Sequence, residues 1–303
     1  MKTVVIFGGS GFIGKYIVRR LAQLGYKIII PYQMPIEESK LRIYGKLGQI
    51  IPLKFSKSNK EKIKKIIINS DIIINLKTIW QETKINSYNN SILNFNIEIA
   101  NLINSSKKNI IFIFFSGLGV KESSKSLRIK KIYESEQHLL KNLKYISIIR
   151  PSIVIGEGSQ FLKKLIQIIR ISLFIPLFGS GKAKIQPVYV DDIARAIVEI
   201  IVKKSKEKNI YELCGPVIYN YKSFYKLIFK ILRKKRFFIN FPFNLSLVFF
   251  SMLEKTPINI LTKEQLLLFK EDNIQSGKEK NFNYLGISPT NVSEIIKNIH
   301  KLD

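Results

Sequence analysis

The residues with the clearest capacity for chemistry in this 303-residue chain lie near its start, in the stretch VVIFGGSGFIG (4–14). Gly8, Gly11 and Gly14 follow the spacing G-x-x-G-x-x-G, directly after a run typical of a strand and at the opening of an amphipathic helix. The first two glycines permit a tight turn and a close approach of backbone to a pyrophosphate, and the third lets the helix pack against the strand. The free N–H groups and the dipole at the start of that helix favour phosphate. This stretch therefore predicts a dinucleotide site.

The identity of the dinucleotide depends on the end of the second predicted strand, which reads IIIPYQMP and places Gln33 and Met34 there. A carboxylate at this position would hold the ribose hydroxyls of NAD, and none is present. No arginine is present either, so Lys15 and Lys57 are the candidates to reach a 2′-phosphate. We therefore favour NADP(H), with NAD(H) not excluded.

Short apolar runs alternate with amphipathic segments through the first half of the chain. The runs are rich in β-branched and aromatic residues and are continuous, as strands buried on both faces are. The strands are predicted at 4–7, 27–30, 50–53, 71–76, 109–115 and 145–150, and the helices at 14–25, 60–68, 91–104 and 127–143. Repeated strand–helix–strand units predict an α/β fold, a doubly wound parallel sheet of the Rossmann type.

The regular alternation ends after Pro151. The stretch PVYVDDIARAIVEIIVKK (187–204) begins extended and continues as a helix, with Asp191 or Asp192 expected to cap its N–H groups. A short strand, IYELCG (210–215), follows. We predict a nucleotide-binding domain over residues 1–215 and a smaller, mostly helical lobe over 216–303, to which 156–186 contributes in part.

The composition points to an anionic partner. Fifty Lys and Arg against twenty-two Asp and Glu give a formal charge of +28, which attracts a membrane surface, an acidic protein or nucleic acid. A general excess of Lys, Ile and Asn is an equally good explanation. No basic stretch interleaves with stacking aromatics, so we expect no nucleic-acid partner. One cysteine and two distant histidines leave no disulfide and little for a metal.

A C-terminal stretch, residues 233–257 (RKKRFFINFPFNLSLVFFSMLEKTP), sets a basic cluster beside large apolar residues. A helix needs roughly 20 apolar residues to cross a bilayer, so this interrupted run is too short and too polar. Two interpretations remain open. The stretch lies in a membrane interface with its basic residues near lipid phosphates, or its aromatic residues form ordinary core of the small lobe.

Several motifs together resemble the extended and atypical short-chain dehydrogenase/reductase superfamily. They are GGSGFIG, DIIINL, NIIFIFFSG, RPSIVIGEG and PVYVDDIARAI, and they occur in the order of that superfamily. Within it, VVIFGGSGFIGKYIV, IIPYQMP, LGQIIPLKF and FPFNLSLVFFSMLEKTPINILTKEQL are similar to the nucleotide-binding accessory subunits of respiratory complex I and their bacterial relatives. This resemblance covers nearly the whole chain.

The resemblance implies a set of cofactor contacts and a missing catalytic pair. The implied contacts are Gly8, Ser10, Gly11, Phe12, Ile13, Gly14, Gln33, Leu76, Lys77, Ser116, Lys130 and Pro151. Active members use Tyr-x-x-x-Lys, in which the phenol moves a proton and the lysine lowers its pKa. None of the thirteen tyrosines has Lys four residues on, and Ser126 stands at the position of that tyrosine with Lys130 retained. We therefore expect no catalytic residue.

The resemblance also implies a role. We expect a non-catalytic NADP(H)-binding accessory subunit that stabilises the junction of hydrophilic arm and membrane near the quinone site, with complex I subunits and an anionic membrane surface as partners. The alternatives are an active reductase, epimerase or dehydratase on a nucleotide-sugar or isoprenoid-like substrate, and an assembly factor with the same fold. Because the sequence enters a predicted strand at once, we expect no presequence. We expect a peripheral protein on the cytoplasmic face of a bacterial inner membrane, or on the matrix side if it is mitochondrial.

Overall fold

The computed structural model of the chain describes residues 1–55, 59–203, 207–253 and 262–300. Its centre is a sheet of seven parallel strands, arranged in the order β3-β2-β1-β4-β5-β6-β11. These strands are β1 (Thr3–Phe7), β2 (Lys27–Tyr32), β3 (Ile50–Lys54), β4 (Ile72–Asn75), β5 (Ile111–Phe115), β6 (Ile146–Pro151) and β11 (Asn209–Leu213). The predicted doubly wound parallel sheet is confirmed. The strand order reverses between β1 and β4, where open α/β sheets bind ligands.

Helices cover both faces of this sheet because its strands are apolar on both sides. Along β1, Val4 and Ile6 face one core, while Val5 and Phe7 face the other. The first core is closed by α1 (Phe12–Gln23), α7 (Val190–Val202) and α11 (Phe282–Leu285). The second is closed by α3 (Lys60–Asn69), α4 (Phe95–Asn104), preceded by a π-helical segment (Asn89–Asn94), and α5 (Leu127–Asn142). A short helix, α2 (Glu38–Arg42), precedes β3.

A third apolar cluster forms the core of the small lobe. Its strands form two-stranded sheets and are β7 (Val154–Ile155), β8 (Phe174–Phe178), β9 (Lys184–Ile185), β10 (Val188–Tyr189), β12 (Tyr219–Asn220) and β13 (Phe237–Phe241). Its helices are α6 (Gln160–Ile171), α8 (Tyr221–Ile231), α9 (Phe243–Leu253), α10 (Lys263–Leu268) and α12 (Val292–His300).

The last part of the chain returns to the large sheet. The N–H of Glu212 in β11 donates to the carbonyl of Lys280 at 2.8 Å. Phe282, Leu285 and Ile287 are buried in the core beneath α1 and α7. The chain therefore passes between the small lobe and the nucleotide-binding domain more than once. The predicted division at residue 215 stays a prediction.

The predicted capping of α7 by an aspartate is wrong. This helix starts at Val190 after Tyr189, and no side chain caps it. Asp191 instead accepts a hydrogen bond from Arg20 Nε of α1 at 2.8 Å. Asp192 accepts from the N–H of Thr290 at 2.6 Å. Both carboxylates have partners far away in the chain, which a local helix-start pattern does not reveal.

The segment from Phe237 to Leu253 divides its apolar residues between core and surface. Phe238, Phe241, Phe243 and Leu247 pack against the core of the small lobe. Phe237, Ile239, Leu245 and Val248 are exposed. The core interpretation is therefore confirmed for part of this segment, the membrane-interface interpretation stays a prediction, and residues 254–257 lie outside the described part. In the described ranges, no helix has the length and apolar character needed to cross a bilayer.

Candidate functional site

The glycine loop joins β1 to α1, and the backbone of the loop lies in close contact with the backbone at the start of α1. Gly8 has φ +78, a left-handed conformation that side-chain-bearing residues rarely adopt. A Cβ at Gly14 would lie 2.4 Å from the carbonyl oxygen of Gly8 and 2.6 Å from Cα of Gly9. A Cβ at Gly11 would lie 3.2 Å from that same Gly8 oxygen. Only glycine fits at position 14, and the loop has the shape of a phosphate cradle.

The start of α1 is not capped by the protein itself. Gly11 occupies the N-cap position, so no side chain accepts from the first turn, and that turn contains no acidic residue. Ser10, Phe12 and Ile13 surround this helix end and are half-buried. The uncapped N–H groups and the positive end of the dipole therefore remain available to an anion, and the residues present fit a pyrophosphate.

A loop of the small lobe lies against the same end of α1. A Cβ built at Gly158 would lie 3.3 Å from the Phe12 ring. The hydroxyl of Tyr16 donates to the carbonyl of Glu157 at 3.3 Å. Burial, followed by the nearby Tyr189 and Glu157, raises the pKa of Tyr16 to about 12, so this phenol is protonated at neutral pH. Phe12 and Tyr16 thus connect the nucleotide loop to the small lobe.

At the end of β2, Gln33 is exposed, and the acidic side chains that follow it are already paired. Glu38 accepts from the Tyr32 hydroxyl at 2.6 Å and from Arg42 at 2.7 Å. Glu37 pairs with Lys40, whose hydrogen bond lowers the pKa of Glu37, with a smaller effect from the charge of Lys15. Lys15 therefore lies near this end of the cleft, and Lys57 lies outside the described residues.

Leu76 and Lys77 follow β4 at the switch point of the sheet. The N–H of Leu76 donates to the carbonyl of Phe7 at 2.9 Å, and a Cβ on Gly8 would lie 3.1 Å from Leu76 Cβ. Lys77 Nζ lies 4.2 Å from the centre of the Phe95 ring. Burial lowers the pKa of Lys77, because the ammonium loses part of its hydration. The structure thus brings Leu76 directly against the glycine loop.

Ser116 and Pro151 lie at the ends of neighbouring strands on the same edge of the sheet. The N–H of Ser116 donates to the carbonyl of Ile149 at 2.8 Å. Its Oγ is buried and has no hydrogen-bond partner among the residues that the structure describes. A buried hydroxyl without a partner is costly, so a ligand at this edge would supply what the protein does not. The carbonyl of Pro151 accepts from the N–H of Leu118 at 3.0 Å.

Ser126 is the N-cap residue of α5 and is 2% exposed. Its Oγ accepts from the N–H of Ile129 at 3.1 Å and donates to Glu264 of α10. The hydroxyl is therefore occupied on both sides. Lys130, one turn along the helix, is exposed. The structure thus separates the two residues aligned with the catalytic pair, one buried as a cap and the other at the surface.

Sequence reasoning missed Arg128, which is buried two residues after Ser126. Its Nε donates to the carbonyl of Ile79 and its Nη2 to Thr78 Oγ1, each at 2.9 Å, and the guanidinium lies 3.9 Å from the centre of the Trp80 ring. Burial lowers the pKa of Arg128 to about 10. This side chain holds the loop that follows Lys77. Among fifty basic residues, no local pattern distinguishes it.

Sequence reasoning also missed Asn273, which links the C-terminal chain to the loops after β5 and β6. Ser152 Oγ donates to its Oδ1 at 2.7 Å, and its Nδ2 donates to the carbonyl of Leu118 at 3.2 Å. Asn273 therefore ties these two loops to the C-terminal part of the chain. In the described ranges, no three His, Cys, Asp or Glu residues are grouped so as to hold a metal ion.

Two family models match adjacent parts of the chain. Residues 5–126 match the 3-beta hydroxysteroid dehydrogenase/isomerase family, and residues 130–214 match the NAD dependent epimerase/dehydratase family. Solved structures with the same fold include a UDP-glucuronic acid 4-epimerase from Bacillus cereus, with TM-score 0.74 and 16% identity over 99% of this chain and 100% of that one. A dTDP-glucose 4,6-dehydratase from Bacillus anthracis gives TM-score 0.72 and 15% identity over 99% and 97%. At these identities the likeness shows the fold.

Curated relatives extend along most of the chain. NADH dehydrogenase (ubiquinone) 1 alpha subcomplex subunit 9, mitochondrial, of Arabidopsis thaliana is 27% identical over 94% of this chain and 73% of its own length. The protein of the same name from Dictyostelium discoideum is 30% identical over 74% of this chain and 62% of its own length. The Neurospora crassa NADH-ubiquinone oxidoreductase 40 kDa subunit, mitochondrial, is 25% identical over 96% and 76%.

Proposed function

We propose that this chain is a non-catalytic, NADP(H)-binding accessory subunit of complex I. It belongs to the atypical short-chain dehydrogenase/reductase superfamily, since adjacent parts of it match the 3-beta hydroxysteroid dehydrogenase/isomerase and NAD dependent epimerase/dehydratase families, and it is a homologue of complex I subunits. One contrast carries the proposal. The glycine loop and the uncapped start of α1 are shaped for a nucleotide, whereas Ser126, at the position of the catalytic tyrosine, is buried and bonded to Glu264.

The dinucleotide would lie across the switch point of the sheet. Gly8, Gly11 and Gly14, with Ser10, Phe12 and Ile13, would hold its pyrophosphate, and the remaining contacts would be Gln33, Leu76, Lys77, Ser116, Lys130 and Pro151. A bound nicotinamide dinucleotide supplies hydride-transfer capacity. Here we assign the bound dinucleotide a structural role. A ligand that binds only the folded state adds about 2.7 kcal/mol of stability when its concentration is 100 times Kd.

The side chains at the end of β2 support the proposed preference for NADP(H) over NAD(H). Recognition of an unphosphorylated ribose uses a free carboxylate, and Glu37 and Glu38 are both engaged by neighbouring side chains. Gln33 stands at the strand end itself, and Lys15 is close enough to influence Glu37. Amide and ammonium groups suit a 2′-phosphate better than they suit two hydroxyl donors.

The chemistry of the residues aligned with the catalytic pair supports the proposed absence of turnover. A serine hydroxyl is a far weaker acid than a phenol, and the Ser126 hydroxyl already donates its proton to a carboxylate. Asn273 contacts the loops beside the cleft from inside the same chain. These contacts support holding of a nucleotide over reaction with a second substrate.

The surface of the small lobe supports a peripheral position at the membrane. The basic run from Arg233 to Arg236 precedes exposed Phe237 and Ile239, with Leu245 and Val248 exposed in the next helix. Apolar side chains beside lysine and arginine suit an interface of anionic headgroups. We place the protein where hydrophilic arm and membrane meet, near the quinone site, on the cytoplasmic face of a bacterial membrane or the matrix side of a mitochondrial one.

The test is affinity purification of the tagged protein from native membranes in mild detergent, with mass spectrometry of the proteins and nucleotides that stay bound. We expect complex I subunits in stoichiometric amounts, together with NADP(H) that stays bound through purification and exchanges slowly with added nucleotide. A matched preparation carrying Gly14→Ala should lose the nucleotide. Isolation of the protein alone, or rapid substrate-dependent oxidation of NADPH, would contradict the proposal. Association with immature complexes only would favour an assembly factor.

A second candidate is an active reductase, epimerase or dehydratase on a nucleotide-sugar or isoprenoid-like substrate. The unpartnered, buried Oγ of Ser116 favours it, because such a hydroxyl suits a reacting group at the strand ends. Screening of NADPH-dependent turnover, followed by Ser116→Ala and Lys130→Ala, tests this candidate. Loss of a measurable turnover in both variants would support it, and unchanged turnover in both would remove its site.

A further inference from the structure

We propose that the Ser126–Glu264 contact couples α10 of the small lobe to the nucleotide cleft, so that nucleotide binding and the stability of α10 depend on each other. The proposal rests on the proposed nucleotide binding and adds to it a regulation of the same site. Three consecutive sets of contacts support it. The first packs α10 into the core of the small lobe, the second joins α10 to the first turn of α5, and the third joins α5 to the loop that contacts Gly8.

Glu264 is held by a helix that is anchored in the small lobe. Thr262 Oγ1 accepts from the N–H of Gln265 at 3.1 Å, and Gln265 Oε1 accepts from the N–H of Thr262 at 3.0 Å, which completes a capping box. Leu266 is fully buried in the small-lobe core, and the centre of the Phe269 ring lies 4.4 Å from the centre of the Tyr221 ring. A shift of α10 therefore moves the carboxylate of Glu264 with it.

Ser126 transmits this position to α5. Its Oγ carries a single proton, which is donated to Glu264, while its lone pair accepts the N–H of Ile129 in the first turn. Hydrogen bonds to a carboxylate are stronger than those between neutral groups; here the Ser126 side is buried and Glu264 is half-buried. The start of α5 is thus tied to α10 by one charge-assisted bond.

Arg128 carries the connection from α5 to the cleft. Its two hydrogen bonds and its stacking on Trp80 hold residues 78–80. That loop follows Leu76, and the Cβ of Leu76 lies so close to Gly8 that a Cβ added at Gly8 would be 3.1 Å away from it. Arg128 and Glu264 are therefore positioning residues. A nucleotide that fixes Leu76 and the glycine loop also fixes Arg128, Ser126 and α10.

Coupling of this kind is reciprocal. If an ordered α10 strengthens nucleotide binding by a given factor, bound nucleotide stabilises the α10 contact by the same factor. Contacts in series show that two sites are connected, and only an energetic measurement shows that they are coupled. Nucleotide affinity and hydrogen exchange in α10 must therefore be measured on the same set of variants.

The experiment measures NADPH and NADH affinity by calorimetry for the full-length protein, Ser126→Ala, Glu264→Gln and the double variant. Glu294→Gln, an exposed carboxylate in the first turn of α12, is the matched control. We expect each single variant to weaken binding of the preferred nucleotide by about fivefold, the low end of allosteric couplings. The double variant should be no weaker than Ser126→Ala alone, because Ser126→Ala already removes the whole contact while Glu264→Gln leaves a neutral hydrogen bond, and the control should bind normally.

Hydrogen exchange of residues 262–269, with and without NADPH, completes the test on the unmodified protein. We expect nucleotide to slow exchange there, and the effect to be lost in Glu264→Gln. Tight NADPH binding that leaves exchange in α10 unchanged would overturn the coupling while leaving the proposed function intact, even where a variant fails to fold. Failure of the unmodified protein to bind either nucleotide would overturn the proposed function and the coupling with it.

Discussion

Replacement of Gly14 by alanine tests the nucleotide loop at its tightest point. The added Cβ would lie 2.4 Å from the Gly8 carbonyl oxygen and 2.6 Å from both Cα and O of Gly9, and all three are backbone atoms. Because no flexible side chain can yield, an ordinary contact of 3.4 Å needs the glycine-loop backbone and α1 to separate by about 1 Å. Overpacking of this kind costs about 1–3 kcal/mol, and rigid neighbours place this site near the upper end.

Two readouts follow from that displacement. In calorimetry, a loss near 3 kcal/mol should lower Tm by about 5–10 °C for a chain of this size. The same separation opens the phosphate cradle, so NADPH affinity should fall at least about tenfold, which corresponds to about 1.4 kcal/mol. NADPH should accordingly raise the Tm of the variant less than that of the unmodified protein.

Gly117→Ala is the control for stability. A Cβ there meets nothing within 4 Å, so we expect little change in Tm. Unchanged Tm and unchanged nucleotide affinity in Gly14→Ala would refute the reasoning, because the backbone of the loop would then tolerate an atom for which the structure has no space. A fall in Tm without a fall in affinity would remove the loop from the nucleotide site and leave it a structural role.

Three further outcomes are expected. Glu136 is fully buried and accepts from Arg150 Nε at 3.0 Å. Glu136→Gln should therefore lower the free energy of unfolding in urea by about 1.5–3 kcal/mol, because the largely buried Arg150 loses its nearest carboxylate and keeps Glu279 at 3.9 Å. Glu61→Gln, in an exposed ion pair, should leave the free energy of unfolding almost unchanged. Equal effects of the two would contradict the assigned burial. Burial raises the pKa of Cys214 to about 12, and the thiolate is the reactive form, so on the order of one thiol in ten thousand is ionised at pH 8. Iodoacetamide should therefore label Cys214 only after unfolding, and rapid labelling of the native protein would show the thiol to be accessible. Ser126→Tyr should create no NADPH oxidation and should lower Tm, because a phenol does not fit a buried N-cap; a gain of turnover would show that the site lacks only its tyrosine.

The large sheet was predictable because its signals are local. The continuous apolar runs at β1 to β6 appear as strands within a residue or two of their predicted bounds, and the helices between them follow the spacing of their apolar residues. The glycine loop was predictable for the same reason, since the strand, the turn and the helix of this unit are adjacent in sequence.

Contacts between distant parts of the chain were not predictable. Glu264 and Ser126 are 138 positions apart, and Asn273 and Leu118 are 155 apart. Asp192 was expected at a helix start, whereas its partner Thr290 lies 98 residues away. Hydrogen bonds of this type depend on where two lobes meet, and no periodic pattern within one helix or strand carries that information.

The return of the chain end to the large sheet has a consequence for biosynthesis. Phe282, Leu285 and Ile287 complete the core beneath α1 and α7, and Lys280 extends the edge at β11. While the ribosome is still adding these residues, the N-terminal half holds its strands but leaves that apolar surface uncovered. Contacts this distant in sequence close late and slowly. We therefore expect the cores of both lobes to close only after residues 280–296 have been made, and a deletion of this range should make the rest of the protein prone to aggregation.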